Sequence, residues 1–120
     1  LLDSLGWMAE LLGPPAIVGY STHTPEQLEA ASAEPVSYLA IGPVFDTQTK
    51  ATGYEPVGLV LVAEAARLSK GLPVVAIGGI TLANAPAVIA AGASAVAVIG
   101  DLLANGDPRV RVEAFCRALR

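Results

Sequence analysis

The sequence predicts an α/β fold: the C-terminal half of a (β/α)8 barrel, with four βα units preceded by a helix, in one partial domain over residues 1–120. Three observations carry this expectation. Short apolar runs alternate with amphipathic stretches, as in parallel sheets whose crossovers are helices. Hydrophobic residues make up 53% of the chain and mean hydropathy is +0.58, which suits strands buried on both faces. All four runs end in small or polar residues, and glycines follow the last two, where barrels place a phosphate site.

Leu1–Leu12 reads as a helix ended by Gly13-Pro14-Pro15. Ala16–Tyr20 reads as the first strand. Thr24-Pro25-Glu26-Gln27 opens the next helix: Thr24 caps, Pro25 suits the first helical position, and Gln27 completes a capping box. Tyr38–Ile41 is the second strand. Val57–Leu68 is a helix with Leu61, Ala65 and Leu68 on its apolar face. Pro73–Ile77 is the third strand, broken by Gly78-Gly79. Thr81–Ala91 is a short helix that Gly92 ends as a left-handed cap. Ala95–Ile99 is the fourth strand. Asp107-Pro108 starts a last helix running to about Arg120, with Val110, Ala114, Phe115 and Leu119 on its apolar side.

A whole barrel needs about 250 residues, so 120 residues supply half of one. Four buried parallel strands would leave two open edges and an uncovered inner face. The chain is therefore expected to be a fragment, or a half that completes itself by pairing. No apolar run reaches the roughly 18–20 residues of a membrane span. Net charge is −4 with no basic stripe, which speaks against nucleic acid. The single cysteine, Cys116, allows no internal disulfide, and Leu1-Leu2-Asp3 lacks a basic n-region. The expectation is a cytoplasmic protein. Cys116, Trp7 and Met8 read as packing residues.

The chemistry concentrates at strand ends. Gly42-Pro43-Val44-Phe45-Asp46-Thr47-Gln48-Thr49-Lys50 follows the second strand. It offers hydroxyls, backbone amides and an ammonium group to one anion. Gly78-Gly79 permits close backbone approach and frees amides before the next helix. Ile99-Gly100 occupies the matching place after the fourth strand. Ser21, Thr22 and His23 end the first strand, and a hydroxyl there would point into the barrel mouth. His23 reads better as a rim or capping residue than as a general base, because no acidic residue adjoins it in sequence. Asp46 alone makes no metal site.

Together, Gly19-Tyr20-Ser21-Thr22-His23-Thr24, Gly42 to Lys50 and Gly78-Gly79-Ile80-Thr81 resemble the thiamine-phosphate synthase family. Gly53-Tyr54-Glu55-Pro56-Val57-Gly58 and Asn84-Ala85-Pro86-Ala87-Val88-Ile89 extend the likeness from about Leu11 to the C-terminus. The resemblance implies a (β/α)8 barrel that joins a hydroxymethylpyrimidine pyrophosphate to a thiazole phosphate and releases pyrophosphate with Mg2+. It implies that Ser21 and Lys50 contact the pyrimidine pyrophosphate as catalytic residues. Thr47, Gln48 and Thr49 would line the thiazole-phosphate side. Gly79, Ile99 and Gly100 would hold the thiazole phosphate through backbone amides.

Two departures stand beside the likeness. The family's magnesium-binding aspartates and a pyrimidine-contacting segment belong to the N-terminal half, so Mg2+ ligands are expected there and none here. Family members often carry a serine where this chain has Gly100, which removes a hydroxyl but keeps the amide. Partners implied are the two small-molecule substrates, with a homo-oligomer or a complementing N-terminal half to close the barrel. Two alternatives stand beside this reading: a thiazole tautomerase, which tends to carry a histidine where Pro43 stands, and a non-catalytic phosphate-binding half-barrel.

Overall fold

The chain, seen in a computed structural model, is described over residues 2–47, 53–104 and 106–120. The elements in chain order are α1 (Leu2–Leu12), β1 (Gly19–Thr22), α2 (Pro25–Ser32), β2 (Tyr38–Ile41) and α3 (Gly58–Leu68). They continue with β3 (Val74–Ile77), α4 (Ala85–Ala90), β4 (Ala95–Ala97), α5 (Gly100–Leu103) and α6 (Pro108–Ala118). The four strands form one parallel sheet in the order β1-β2-β3-β4. The register sets Thr22 beside Ile41, Ile41 beside Ala76, and Ile77 beside Ala97. This is the half-barrel that the alternating pattern predicts.

The sheet is buried on one side. Side chains alternate between faces with period two. Leu39, Ile41, Val74 and Ala76 are at most 1% exposed and meet Leu28, Ala31, Val62, Ala65 and Val88 from α2, α3 and α4. Each fully buried Leu, Ile or Val contributes about 1.5–3 kcal/mol, so this face supplies the main driving force for folding. The alternate positions Ser21, Ala40, Val75, Ile77 and Ala95 are exposed or half-buried. That is the uncovered inner face expected of half a barrel.

Thr24 caps α2 as its sequence implies, but Gln27 reaches back to the His23 amide, one residue before the cap, instead of closing a capping box on Thr24. Thr24 Oγ1 accepts from the Gln27 amide at 3.1 Å, while Gln27 Oε1 accepts from the His23 amide at 2.7 Å. Asp107 caps α6 in the same way, accepting from the Arg109 amide at 2.9 Å. Gly92, with φ +124°, follows α4 as the left-handed residue.

Several boundaries differ from the sequence reading. β1 runs over Gly19–Thr22 rather than Ala16–Tyr20, and Ile17 is 80% exposed. The ladder reaches Val18 through a serine instead. The Ser37 amide donates to the Val18 carbonyl, and Ser37 Oγ accepts from the Val18 amide. Ser94 does the same for Val74 at the foot of β4. Helix α4 starts at Ala85, not Thr81, because Thr81 and Asn84 bond each other's backbone and hold the chain in a turn. β4 stops at Ala97, and the unforeseen α5 begins at Gly100. Trp7 (64%) and Val110 (58%) are exposed, as is Cys116, because α1 and the outer side of α6 lie at the periphery.

Helices α5 and α6 are joined by charge. Arg111 Nη2 donates to both carboxylate oxygens of Asp101, at 2.9 and 2.8 Å, and the Leu82 amide donates to Asp101 Oδ2 at 2.8 Å. Burial alone would raise the Asp101 pKa. The bonds from Arg111 and Leu82, with the Arg111 charge, outweigh it and hold the carboxyl below its ordinary value of 3.8.

Two outcomes follow for stability. Leu39→Ala, at a fully buried position, should lower the unfolding free energy by about 2–5 kcal/mol, and Val75→Ala on the open side by clearly less; urea denaturation of both variants measures the contrast. Because the folded pKa of Asp101 is depressed, its stabilisation is fully present above 3.8 and is lost as pH falls through the lower folded value. The stability gap between the unaltered chain and Asp101→Asn should therefore be largest at neutral pH and shrink in that acid window, as read from denaturation midpoints against pH.

Candidate functional site

The site is built where the strands end. Beyond Ile41 the chain keeps running beside β3: the Val44 amide donates to the Ile77 carbonyl at 3.0 Å and the Phe45 amide to the Gly78 carbonyl at 3.1 Å. The two backbones touch. A Cβ on Gly78 would stand 2.6 Å from Pro43 Cα, and one on Gly79 would meet Phe45 and the Asp46 carbonyl. Gly78 and Gly79 also have φ of +105° and +64°, which L side chains rarely adopt. Glycine is required here on two independent counts.

The β2 loop then leaves the sheet and returns to its own base. The Val57 amide donates to the Pro43 carbonyl at 2.8 Å, and the Gly58 amide to the Val44 carbonyl at 2.9 Å. The two ends of the loop, Pro43-Val44 and Val57-Gly58, are thus held together. Thr47, at its start, is half-buried, and Asp46 is exposed. Gln48, Thr49 and Lys50 lie outside the described residues.

On β1, Ser21 is exposed on the open side of the sheet, level with Ala40. Thr22 turns the other way. It is 1% exposed and its hydroxyl donates to the Ala40 carbonyl at 2.8 Å, so it belongs to the helix-side core rather than the barrel mouth. His23 joins the two tips. Its Nδ1 is 2.7 Å from the Gly42 carbonyl, a bond that needs the proton on Nδ1, and its ring stacks on Tyr54 at 3.6 Å with planes 12° apart. With its amide on Gln27, His23 ties the end of β1 to both limbs of the β2 loop. This is the rim role that its sequence surroundings suggest.

The β3 tip is braced from within. Asn84 Nδ2 donates to the Gly79 carbonyl at 3.1 Å, and Asn84 Oδ1 accepts from the Thr81 amide at 2.8 Å. Among the described residues, the Gly79 amide makes no hydrogen bond. Ile99 follows Ala97 by two residues, as Gly79 follows its register partner Ile77. Ile99 is 55% exposed, and Gly100 opens α5 with an amide that has no intrahelical acceptor. The Leu82–Asp101 bond links the two tips directly.

The structure therefore brings together the start of the β2 loop, Gly79 and Ile99-Gly100 at one end of the sheet, with Ser21 two strands from Gly79 on the open side. Such a set of amides and hydroxyls can hold an anion. Sequence reasoning missed Asp101 and Arg111, which are ten residues apart on different helices. It quoted Tyr54 and Asn84 only within strings of resemblance, although the Thr81-x-x-Asn84 spacing does carry a turn signal.

Residues 5–102 match the family model described as thiamine monophosphate synthase. The chain is 49% identical over 109 residues to the thiamine-phosphate synthase of Koribacter versatilis, covering 91% of this chain and 50% of that protein. It is 41% identical over 106 residues to the thiamine-phosphate synthase of Roseiflexus castenholzii, covering 88% and 46%. Among solved structures, the thiamine phosphate pyrophosphorylase of Pyrococcus furiosus superposes with a TM-score of 0.79 at 30% identity, over 93% of this chain and 52% of that one. The chain thus spans about half the length of the curated relatives it matches. With strand tips of this composition and a family match that covers most of its length, the chain belongs to the thiamine monophosphate synthase family.

Proposed function

We propose that this chain carries the phosphate-binding half of a transferase that couples hydroxymethylpyrimidine pyrophosphate to thiazole phosphate and releases pyrophosphate. The observation that carries the reading is the direct backbone contact between the Pro43–Asp46 passage and Gly78-Gly79, in a member of this family. It makes one anion site out of two loops.

In this reading the Gly79 and Gly100 amides, with Ile99 beside them, hold the thiazole phosphate. Thr47, Gln48 and Thr49 line the thiazole side. Ser21 and Lys50 face the pyrimidine pyrophosphate. Chemistry starts when the bond between the pyrimidine methylene and the pyrophosphate oxygen breaks. The electron pair leaves with pyrophosphate, and a delocalised cation remains. The thiazole nitrogen donates its lone pair to that carbon, so no proton need be removed by the protein. The chain's task is to align two substrates and to neutralise a departing anion. Amides, hydroxyls and one ammonium group suffice for that, and no tuned acid–base pair is called for.

Mg2+ would help neutralise the pyrophosphate in a reaction of this class. The described residues do not fit such an ion: no group of three or more His, Cys, Asp or Glu side chains converges among them. No step is routed through it here, and its ligands are assigned to the part of the relatives that this chain does not span. Among the described residues no helix is long and apolar enough to cross a membrane. The substrates of this reading are small and water-soluble, and on that ground we propose a cytoplasmic reaction.

A second reading, a phosphate-binding half-barrel without turnover, draws on the open face of the sheet, where Ser21, Ile77 and Ala95 are exposed, and on the high apolar content of the chain. Calorimetric titration with thiazole phosphate, followed by assay of thiamine phosphate formation with both substrates and Mg2+, separates the two. Binding with turnover supports the transferase, binding alone supports the half-barrel, and no binding ends both. In an active enzyme that contains this chain, Lys50→Ala should cut turnover by about 30- to 1,000-fold, since one charge-assisted contact to a developing anion is worth about 2–4 kcal/mol, while the thermal midpoint moves little. Unchanged turnover would remove Lys50 from the site.

A further inference from the structure

We propose that Asp101 and Arg111 are positioning residues for the anion cradle: Asp101 clamps the β3 tip to the β4 tip, and Arg111 cancels the Asp101 charge so that an incoming phosphate is not repelled. The proposal rests on the reading of Gly79 and Gly100 as phosphate-binding positions.

Three observations support it. First, the bonds of Asp101 run to both sides of the cradle. Its Oδ2 accepts from the amide of Leu82, three residues past Gly79, and its own backbone adjoins Gly100. Second, the carboxylate is nearly enclosed, with 13% of its side chain exposed. A charge so placed is poorly screened by water and acts on its neighbours more strongly than a surface charge would. Third, a bare carboxylate one residue from a phosphate-binding amide would oppose binding. Arg111 meets both of its oxygens from α6, ten residues later, which leaves the pair without net charge. The Arg111 side chain is itself only 26% exposed. Apolar residues in place of an enclosed ion pair are often neutral or stabilising, so such a pair is a costly way to join two helices. Neutrality beside an anion site accounts for a carboxylate and a guanidinium both being present.

The pair's charge gives the test its sign. It is zero in the unaltered chain, −1 in Arg111→Gln, +1 in Asp101→Asn, and zero again in the double variant. Calorimetric titration with thiazole phosphate, and with inorganic phosphate as a second probe, should rank affinity accordingly. Arg111→Gln should bind about tenfold or more weakly. Asp101→Asn should bind at least as well as the unaltered chain, since its amide oxygen can still accept from Leu82. The double variant should recover to within about threefold of the unaltered chain.

The single variants lose stability under either role, so the affinity order is what distinguishes them: a purely structural pair would leave affinity without this order. Equal affinity in all four folded proteins, or failure of Asp101→Asn to rescue Arg111→Gln, overturns the positioning role while leaving the cradle in place. Absence of binding to the unaltered chain overturns the cradle, and the proposal with it. Should Arg111→Gln fail to fold by circular dichroism, Arg111→Lys, which retains the charge, should hold affinity within about threefold, and a larger loss in that folded variant counts against the proposal.

Discussion

Everything at the functional end of this sheet depends on how closely two backbones approach. Past the last paired residue of β2, the chain does not turn away. It continues along β3 with two further amide–carbonyl bonds, from Val44 to Ile77 and from Phe45 to Gly78. No side chain can stand between them, because Gly78 and Gly79 would each drive a Cβ into the neighbouring loop. The approach fixes where the loop after β2 starts and, through the Pro43 and Val44 carbonyls, holds Val57 and Gly58 beside that start. It also sets Gly79 at the wall of that loop rather than across an open mouth. Residues from distant parts of the sequence then share one small volume without any long side chain having to reach.

Much of the fold could be read from the sequence, for reasons that particular residues make plain. Tyr38–Ile41 is bounded by Ser37 and Gly42, so its limits coincide with its composition. The start of α2 was legible because a cap is a local interaction, written within the four residues Thr24 to Gln27. β1 was misplaced because Ala16-Ile17-Val18 is apolar enough to pass for strand. Whether it pairs depends on Ser37, whose hydroxyl takes the Val18 amide out of the regular ladder. Hydropathy describes a residue's preference, whereas pairing depends on a partner elsewhere in the chain.

The site was legible to the same degree. Its glycines and hydroxyls lie in short strings at strand ends, and strand ends are where sequence patterns change most sharply. The braces behind them were not. Asp101 and Arg111 belong to separate helices, and α5 is too short to give a periodic signal. The apolar face of α6 was read from helical spacing as if every apolar residue had a neighbour. Phe115 is buried, at 7% exposure, whereas Val110 stays 58% exposed. A helix at the margin of a structure keeps the pattern of a buried helix without the burial. The same holds for Trp7 on α1.

The order of strands in space repeats their order along the chain. No strand waits for a later one to be inserted between itself and its neighbour, although the crossover over residues 42–73 is about twice as long as those over 23–37 and 78–94. Closure cost rises only with the logarithm of loop length, so the longer crossover adds about 0.6 kcal/mol to its step. Growth of the sheet can keep pace with synthesis on the ribosome, each βα unit docking on the one already made. The tips around the mouth leave the ribosome in that same sequence: the Ser21 tip first, then the loop after β2 and the glycine pair that seats it, and the α5 brace last.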